Sequence, residues 1–523
     1  MKGYLAISLL VLVSLCMALG DNVPVVPDSM QQTLYMAESG NATAQLRMAN
    51  YFLEEDNTPV DSVTALFWLE KAAGQGLSEA QFKLGFFYLE GYYVKQDGNT
   101  AISWFKKAVS NGNKQAMWYL GTELALGRYV NQDDTEAERL FKEAALSDSV
   151  VSEYKYFAGP QFLAIHYLGT SPSDRVKDTA RAIKWLSVAS DMGIALSSCL
   201  LASFFYNGAL IGKDYRKALK YYQIAMNDSS YAAEAEYYTG LCYYYGQGID
   251  KDHDKGRELL VEAVEADYLP AIVTVGDIFF SGDDVKTDYI TALEMYQRAA
   301  NMGDCYSIDK IGIIYYYGFG VPVNYERAVQ CFWDADSKDY LSAKAHLAMC
   351  YLLGNGVEMN EKWAFNHLLD PSEKGNADCQ NLLALCYYHG YGTGVDYIEA
   401  AKWYRKAAEQ GNVSAQGRLA DCFYHGKGVP QNFSQAIIYY QKASSMNIGD
   451  AQHGLGICYK NGEGVTKSIV EAYYWLSLAA ANCHPSEQES YSKDRDEVRK
   501  KLTEEQISSV QERTGRWMQD HHN

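Results

Sequence analysis

A beat of 36 residues runs through almost the whole chain and restricts it to one kind of architecture. An alanine marks the phase at Ala65, Ala101 and Ala137 and, after an irregular step, at Ala182 and Ala218. Gly256 takes the place once, and the beat resumes at Ala292, Ala328, Ala364, Ala400, Ala436 and Ala472. Twelve units can be counted in this way, most of them 36 residues apart. A period of this size means stacked supersecondary units that cannot bury their apolar faces alone. The expected fold is an all-α solenoid.

The stretch 413–448 shows what one unit contains. Its first half, AQGRLADCFYHGKGV, places Ala415, Leu419, Cys422 and Phe423 at helical spacing on one face. Gly426 and Gly428 then supply the backbone freedom of a helix end and tight turn. The second half, SQAIIYYQKASS, turns Ala436, Tyr439, Tyr440 and Ala443 inward on a second helix. Small alanines let the two helices approach, and the aromatic residues fill the space between one pair and the next. The unit is therefore an αα hairpin.

The segments LGFFYLEGYYV with AISWFKKAVSNG, LALCYYHGYG with AAKWYRKAAEQG, and LGICYKNGEGV with EAYYWLSLAAA resemble Sel1-like repeats, relatives of the tetratricopeptide class. The resemblance covers about residues 42–482 and implies a right-handed α-solenoid of about twelve stacked helix-turn-helix units. It leaves 21–41 as an N-terminal linker or cap and 483–523 as C-terminal capping helices. Two places break the pattern. The insertion VVSEYKYF at 150–157 delays the fourth unit. Pro371 falls inside the second helix of the ninth, where a missing N–H is expected to kink or end it.

The N-terminus and the composition bear on compartment and partner class. Lys2 precedes an uncharged run from Tyr4 to Leu19, and Ala18 and Gly20 stand at the small-residue positions before a cleavage between Gly20 and Asp21. Residues 1–20 read as a secretory signal peptide, and Leu15 before Cys16 does not suit lipidation. No later apolar stretch approaches the ~18 residues that span a bilayer. The expectation is an exported chain, periplasmic or secreted, with the endoplasmic reticulum lumen as the alternative. The closing MQDHHN carries no luminal retention signal. Lys and Arg total 46 against 65 acidic residues, a net charge of −19 that repels phosphate backbones and disfavours nucleic acid. Most of the 43 tyrosines recur at fixed phases, as in LCYYYGQG, IIYYYGFG and LCYYHGYG, so packing accounts for them.

Ten cysteines follow Cys16, and an even number in an exported chain invites a disulfide reading. Cys242, Cys350, Cys386, Cys422 and Cys458 share one phase, so successive ones should lie about one helix packing distance apart, roughly 8–10 Å. A bridge needs less than about 7 Å between Cα atoms. Cys379 and Cys386 share a face two turns apart. Buried core thiols are the preferred reading, with a disulfide among Cys199, Cys305, Cys331 or Cys483 as the alternative. Cysteine-rich Sel1-like proteins staple each hairpin with a disulfide, but the paired cysteines this requires are missing here.

After the twelfth unit Pro485 opens a charged segment, and Thr503 with Gln506 forms a capping-box pattern ahead of Ile507, Val510 and Trp517. A terminal cap that covers the last repeat is the natural role. The string LTEEQISSVQERTGRW is similar to the closing helix of bacterial Sel1-like proteins and favours a periplasmic over a luminal setting. Sequons at Asn41, Asn227, Asn412 and Asn432 decide nothing in so Asn-, Ser- and Thr-rich a chain.

No catalytic or metal motif stands above its structural explanation. Asp250, Asp252 and Asp254 resemble the opening of a calcium loop, but Gly256 sits one position late and Val261 holds the twelfth place. His389 and His425 share the phase before the glycine that ends a first helix, where an imidazolium suits the helix dipole. Ser103 and Lys106 form an S-x-x-K string without the partner motifs of serine acyl-transfer enzymes. The expectation is no enzyme, cofactor or metal. The chain reads as an exported interaction scaffold that presents a concave groove to a protein or peptide, as the resemblance to Sel1-like adaptors implies. Aromatic residues near the ends of first helices are the groove candidates: Tyr206, Tyr244, Phe280, Tyr316, Tyr388 and Tyr424. The alternatives are a luminal quality-control adaptor and a cell-wall or β-lactam-acting enzyme of the cysteine-rich Sel1-like type. The latter would need a nucleophile and base in one cleft.

Overall fold

The computed structural model describes residues 26, 28–53, 62–145, 159–168, 178–283 and 285–521, so the expected signal peptide and the insertion at 150–157 lie outside the described residues. The described residues form 27 helices and no strand. They belong to two compact units, Met1–Tyr268 and Leu269–Asn523.

In the first, α1 (Asp28–Glu38) precedes six hairpins. These are α2 (Ala42–Leu53) with α3 (Ser62–Gly74), α4 (Ser78–Glu90) with α5 (Gly98–Ser110), and α6 (Lys114–Leu126) with α7 (Asp134–Ala145). Then come α8 (Pro160–Leu168) with α9 (Thr179–Asp191), α10 (Ala195–Asn207) with α11 (Tyr215–Ala225), and α12 (Ala232–Tyr245) with α13 (His253–Glu265). The second compact unit starts with α14 (Leu269–Ser281) and α15 (Tyr289–Asn301), α16 (Cys305–Tyr317) and α17 (Tyr325–Ser337), and α18 (Leu341–Leu353) and α19 (Glu361–Glu373). It continues with α20 (Ala377–His389) and α21 (Tyr397–Glu409), α22 (Val413–His425) and α23 (Phe433–Ser444), and α24 (Gly449–Asn461) and α25 (Ile469–Asn482). Two further helices close it, α26 (Gln488–Arg499) and α27 (Glu504–His521). Within each compact unit helices pack on the next in the chain, the stacked-hairpin arrangement of an α-solenoid, except that α8 meets α6 rather than α7 and α27 meets α25 rather than α26.

The phase-marking alanines are all fully buried, at the contact between the two helices of a hairpin. Opposite them the first helix carries a glycine or alanine. A Cβ on Gly85 would come within 2.6 Å of the Phe105 ring, and on Gly312 within 2.4 Å of the Phe332 ring. Each bulky side chain of the second helix therefore sits where its partner has at most a methyl group. Where glycine replaces the marker alanine, at Gly256, the Tyr244 backbone nitrogen lies 2.8 Å from a built Cβ, so α12 and α13 approach more closely than an alanine permits. In the template hairpin Ala415, Leu419, Cys422, Ala436, Tyr440 and Ala443 are buried, whereas Tyr439 is half-buried and Ile437 takes the core position beside it.

Helix ends repeat as well. The side chains of Asp97, Asp214, Asp252, Asp288, Asp396 and Asn432 each accept a backbone N–H from the first turn of the second helix they precede. Asp252, one of the calcium-loop candidates, is such a cap, and Asp254 pairs with Arg257 at 2.5 Å. Pro371 does not end α19, which runs on to Glu373 with the same 13 residues as α18. The missing N–H falls in the last turn, so the loss of one ladder bond is absorbed at the helix end. Consecutive hairpins are tied by buried glutamines: Gln81 donates to Ala73 O at 3.0 Å and Gln380 to Ser372 O at 2.9 Å, each meeting a carbonyl of the preceding helix. The glutamine is bonded in turn from the end of its own hairpin, by Asn111 at 2.9 Å and Gln410 at 2.7 Å.

The C-terminal helices lie on α25. Thr503 N donates to Gln506 Oε1 at 3.0 Å and Gln506 N to Thr503 Oγ1 at 3.3 Å, a reciprocal capping box. Ile507 and Val510 are buried against Tyr474 and Leu476, and the Trp517 indole donates to Asn447 Oδ1 at 3.0 Å.

The turn glycine two residues after the capping glycine sets the spacing between hairpins. Gly428 has φ +72°, and a Cβ there would sit 1.7 Å from the Tyr397 carbonyl oxygen of the preceding hairpin. Gly428→Ala is therefore expected to cost about 2 kcal/mol or more in urea unfolding, whereas Gly394→Ala, with open space around it, stays within about 0.5 kcal/mol.

Candidate functional site

The six aromatic residues proposed for a groove have a common packing partner. Each meets edge to face the ring that begins the second helix of its own hairpin. The pairs are Tyr206 with Tyr215 at 5.2 Å, Tyr244 with His253 at 4.8 Å and Phe280 with Tyr289 at 5.5 Å. Tyr316 with Tyr325 at 5.2 Å, Tyr388 with Tyr397 at 5.1 Å and Tyr424 with Phe433 at 5.3 Å follow the same rule. Several also reach the next hairpin. The Tyr316 hydroxyl accepts from Asn355 Nδ2 at 2.8 Å, Tyr388 is 2.8 Å from Lys427 Nζ, and Tyr424 donates to Glu463 Oε2 at 2.6 Å. Five of the six are half-buried. Tyr244 departs from the groove expectation: it is fully enclosed, because the close approach at Gly256 draws its helix against α13.

The other candidates separate. Ser103 and Lys106 lie on the exposed side of α5. His389 and His425 end their helices and are exposed. For His389 the favourable imidazolium expected from the helix end is corrected, since desolvation and the cations Arg418 and Lys427 hold its ring below the usual imidazole range. All ten described cysteines are free thiols, seven of them buried. Burial pushes Cys242, Cys350, Cys386, Cys422 and Cys458 up to about 12, which leaves them protonated and unreactive. Among the described residues no three His, Cys, Asp or Glu side chains are placed to hold a metal ion, and no helix is long and apolar enough to cross a membrane.

What the sequence reading did not single out is a cleft of about 530 Å³ between α22 and α24, reached by α26. From α22 it takes Arg418, Asp421, Tyr424 and His425, one of the two same-phase histidines, and from α24 Asp450, His453, Gly454 and Ile457. Its floor is Tyr440 of α23, whose hydroxyl donates to Asp421 Oδ1 at 2.6 Å. Gly454 makes this possible, since a Cβ there would lie 2.5 Å from the Tyr440 ring. From α26 Tyr491 donates to Asp450 Oδ1 at 2.9 Å and stacks on His453 at 4.1 Å, with Glu487 beside it. His453 Nε2 is 2.9 Å from Asp494. Among the described residues the only guanidinium lining the cleft, Arg418, stands 3.8 Å from Asp450. The cleft thus joins three carboxylates, one guanidinium, two imidazoles and aromatic walls. Of the groove candidates, Tyr424 lines it and the others do not. The available signal was Gly454 itself: the corresponding place in every other hairpin holds a larger side chain, such as Arg418, Leu382, His346 or Lys310.

Stacked αα hairpins with a side-chain-lined cleft on their first helices define a helical-repeat protein, a fold typical of protein–protein interaction scaffolds. The sequence profile of the Sel1 repeat matches residues 42–77, 78–113, 114–149, 156–194, 195–227 and 233–268, then 271–304, 306–332, 341–369, 377–412, 413–448 and 449–482. The chain belongs to the Sel1 repeat family. A protective antigen of uropathogenic Escherichia coli with an SLR fold is similar at 24% identity and TM-score 0.57, over 96% of this chain and 95% of the antigen. A Sel1 repeat protein of Oxalobacter formigenes shares 23% identity over 64% of this chain and 93% of its own, with TM-score 0.40. Yeast Tom70 is 14% identical over 89% of this chain and 96% of its own, with TM-score 0.34. No curated protein sequence matches.

Two measurements follow from the side chains. In native protein iodoacetamide is expected to spare Cys242, Cys350, Cys386, Cys422 and Cys458 and to label Cys305 and Cys483 first, read by peptide mass spectrometry. Burial pushes the Asp421 carboxyl above the ordinary carboxylate range, against the lowering effects of Tyr440 and Arg418. A carboxyl raised on folding costs stability as pH climbs through its unfolded value, and the cost disappears below that value. Asp421→Asn is therefore expected to raise the thermal midpoint more near neutral pH than at about pH 4, in paired unfolding scans.

Proposed function

We propose that this protein is an exported scaffold, without chemistry of its own, that holds a protein or peptide partner along the first helices of its hairpins. The observation that carries the reading is the cleft between α22 and α24, where repeat packing is interrupted and polar and aromatic side chains converge. Tyr424 belongs to this anchor point. Tyr206, Phe280, Tyr316 and Tyr388 contribute the ring edges they leave half-exposed on other first helices. Net charge −19 supports a protein rather than a nucleic-acid partner. Export rests on Lys2 and the uncharged run after it, and periplasmic or secreted placement is preferred to the endoplasmic reticulum lumen.

The function is tested by placing a photo-crosslinking residue at Ile457, in the cleft, and at Ile438, which is exposed on the second helix α23, in cells that make the full chain. One protein crosslinked from Ile457 and not from Ile438 is the expected result, and equal or no crosslinking from both positions would sink the site. Export predicts a mature chain that begins at Asp21 by mass spectrometry; retention of Met1 in the cell-associated protein would refute it.

A further inference from the structure

Two places in Leu269–Asn523 are equivalent by the repeat and differ in what fills them. Asp277 and Asp421 stand at the same phase of their first helices, four units apart. Each accepts a buried tyrosine hydroxyl from its own second helix, Tyr296 at 2.6 Å and Tyr440 at 2.6 Å. At Asp277 the following hairpin completes the arrangement. Tyr306 donates a second hydroxyl to Asp277 Oδ1 at 2.7 Å, and Lys310 lays its ammonium over the rings of Phe280 and Tyr306, 4.9 and 5.1 Å from their centroids. At Asp421 the counterparts are changed: Asp450 stands for Tyr306, Gly454 for Lys310, and Tyr424 for Phe280. One internal hydroxyl and one internal cation are thus replaced by a second carboxylate and an empty side-chain position, and the space opens as the cleft.

The charge in that space is unbalanced. Asp421, Asp450 and Glu487 line it against Arg418, which is 3.8 Å from Asp450 and half in solvent, and against the imidazoles of His425 and His453, the latter already 2.9 Å from Asp494. Tyr424 offers an aromatic wall, as Phe280 does beneath Lys310.

We infer that the cleft takes a lysine side chain of the partner, whose ammonium occupies the place that Lys310 fills internally in the earlier hairpin. This rests on the cleft being the partner site, and names the chemistry it selects. The alkyl stem lies along Tyr424 and Ile457, and the ammonium meets Asp421, Asp450 and Glu487.

The test uses the full chain and three dye-labelled nonapeptides of glycine and serine that differ only at the centre, where they carry lysine, norleucine or glutamate. In fluorescence anisotropy at low salt the lysine peptide is expected to bind at least about tenfold more tightly than the norleucine peptide, with the glutamate peptide weaker still. Added salt should narrow the gap. Asp421→Asn with Asp450→Asn is expected to remove about tenfold of the lysine peptide's affinity, and Gly454→Lys to abolish it by restoring an internal cation. A side chain at 454 must displace the Tyr440 ring, so circular dichroism checks that variant, while the carboxamide pair adds no bulk and keeps the test open. Equal binding of the lysine and norleucine peptides, unchanged binding by the double variant, or no binding of any peptide overturns the inference. Crosslinking from Ile457 would survive such a failure if the cleft holds a partner of other chemistry, and would be lost if the cleft holds none.

Discussion

The approach of two helices within a hairpin is the contact on which the rest of this structure depends. It requires a glycine or small alanine on the first helix opposite a large side chain on the second, as at Gly85 and Phe105 or Gly312 and Phe332. It also requires the buried alanine that marks the phase of the second helix. Neither helix is long enough to be stable alone in water, since isolated helices shorter than about 12–15 residues are marginal. The pair becomes stable because a ring on one fills the notch on the other at crystal-like density. An added methyl group in such a notch forces off-rotamer side chains or backbone shifts, typically about 1–3 kcal/mol.

Stacking uses the same economy of space between hairpins. Gly428 lies against the Tyr397 carbonyl of the hairpin before it, and buried glutamines such as Gln380 bond the last turn of the preceding helix. The aromatic residues at the ends of first helices work at this junction too, each closing its own hairpin and several bonding to the next. That double duty explains the abundance of tyrosine. Phenylalanine at 280 packs as the tyrosines do, and a hydroxyl adds a polar link where the next turn offers Asn355, Lys427 or Glu463.

The cleft is a local departure from this regularity. Gly454 removes the side chain that would cover Tyr440, and Asp450 brings a carboxylate where an earlier hairpin has the Tyr306 hydroxyl. Both were visible in the sequence, Gly454 as a break in phase and Asp450 as an acid at a place that also holds Glu79, Glu234 and Asp378. Their meaning was not, because a glycine at a repeat position is equally consistent with tighter packing, which is its effect at Gly276 against Tyr296. The groove residues chosen from the same pattern divide for a related reason. Phase places all six rings at one point of the hairpin, but the depth of each depends on how closely its two helices approach, so Tyr244 is enclosed while Tyr424 reaches the cleft.

The sequence by itself determined the hairpin, its number of repeats and its cappings, because these depend on periodicity and on local residue chemistry. The alanines Ala65 through Ala472, the glycines that end first helices and the Thr503 and Gln506 box each act within one hairpin or one helix end. The continuation of α19 past Pro371, the enclosure of Tyr244 and the cleft at Asp421 were decided only in the tertiary structure. Each depends on atoms from elements distant in sequence. Repeat phase aligns such elements but leaves their separation to packing, and a difference of one side chain there separates a filled core from an open site.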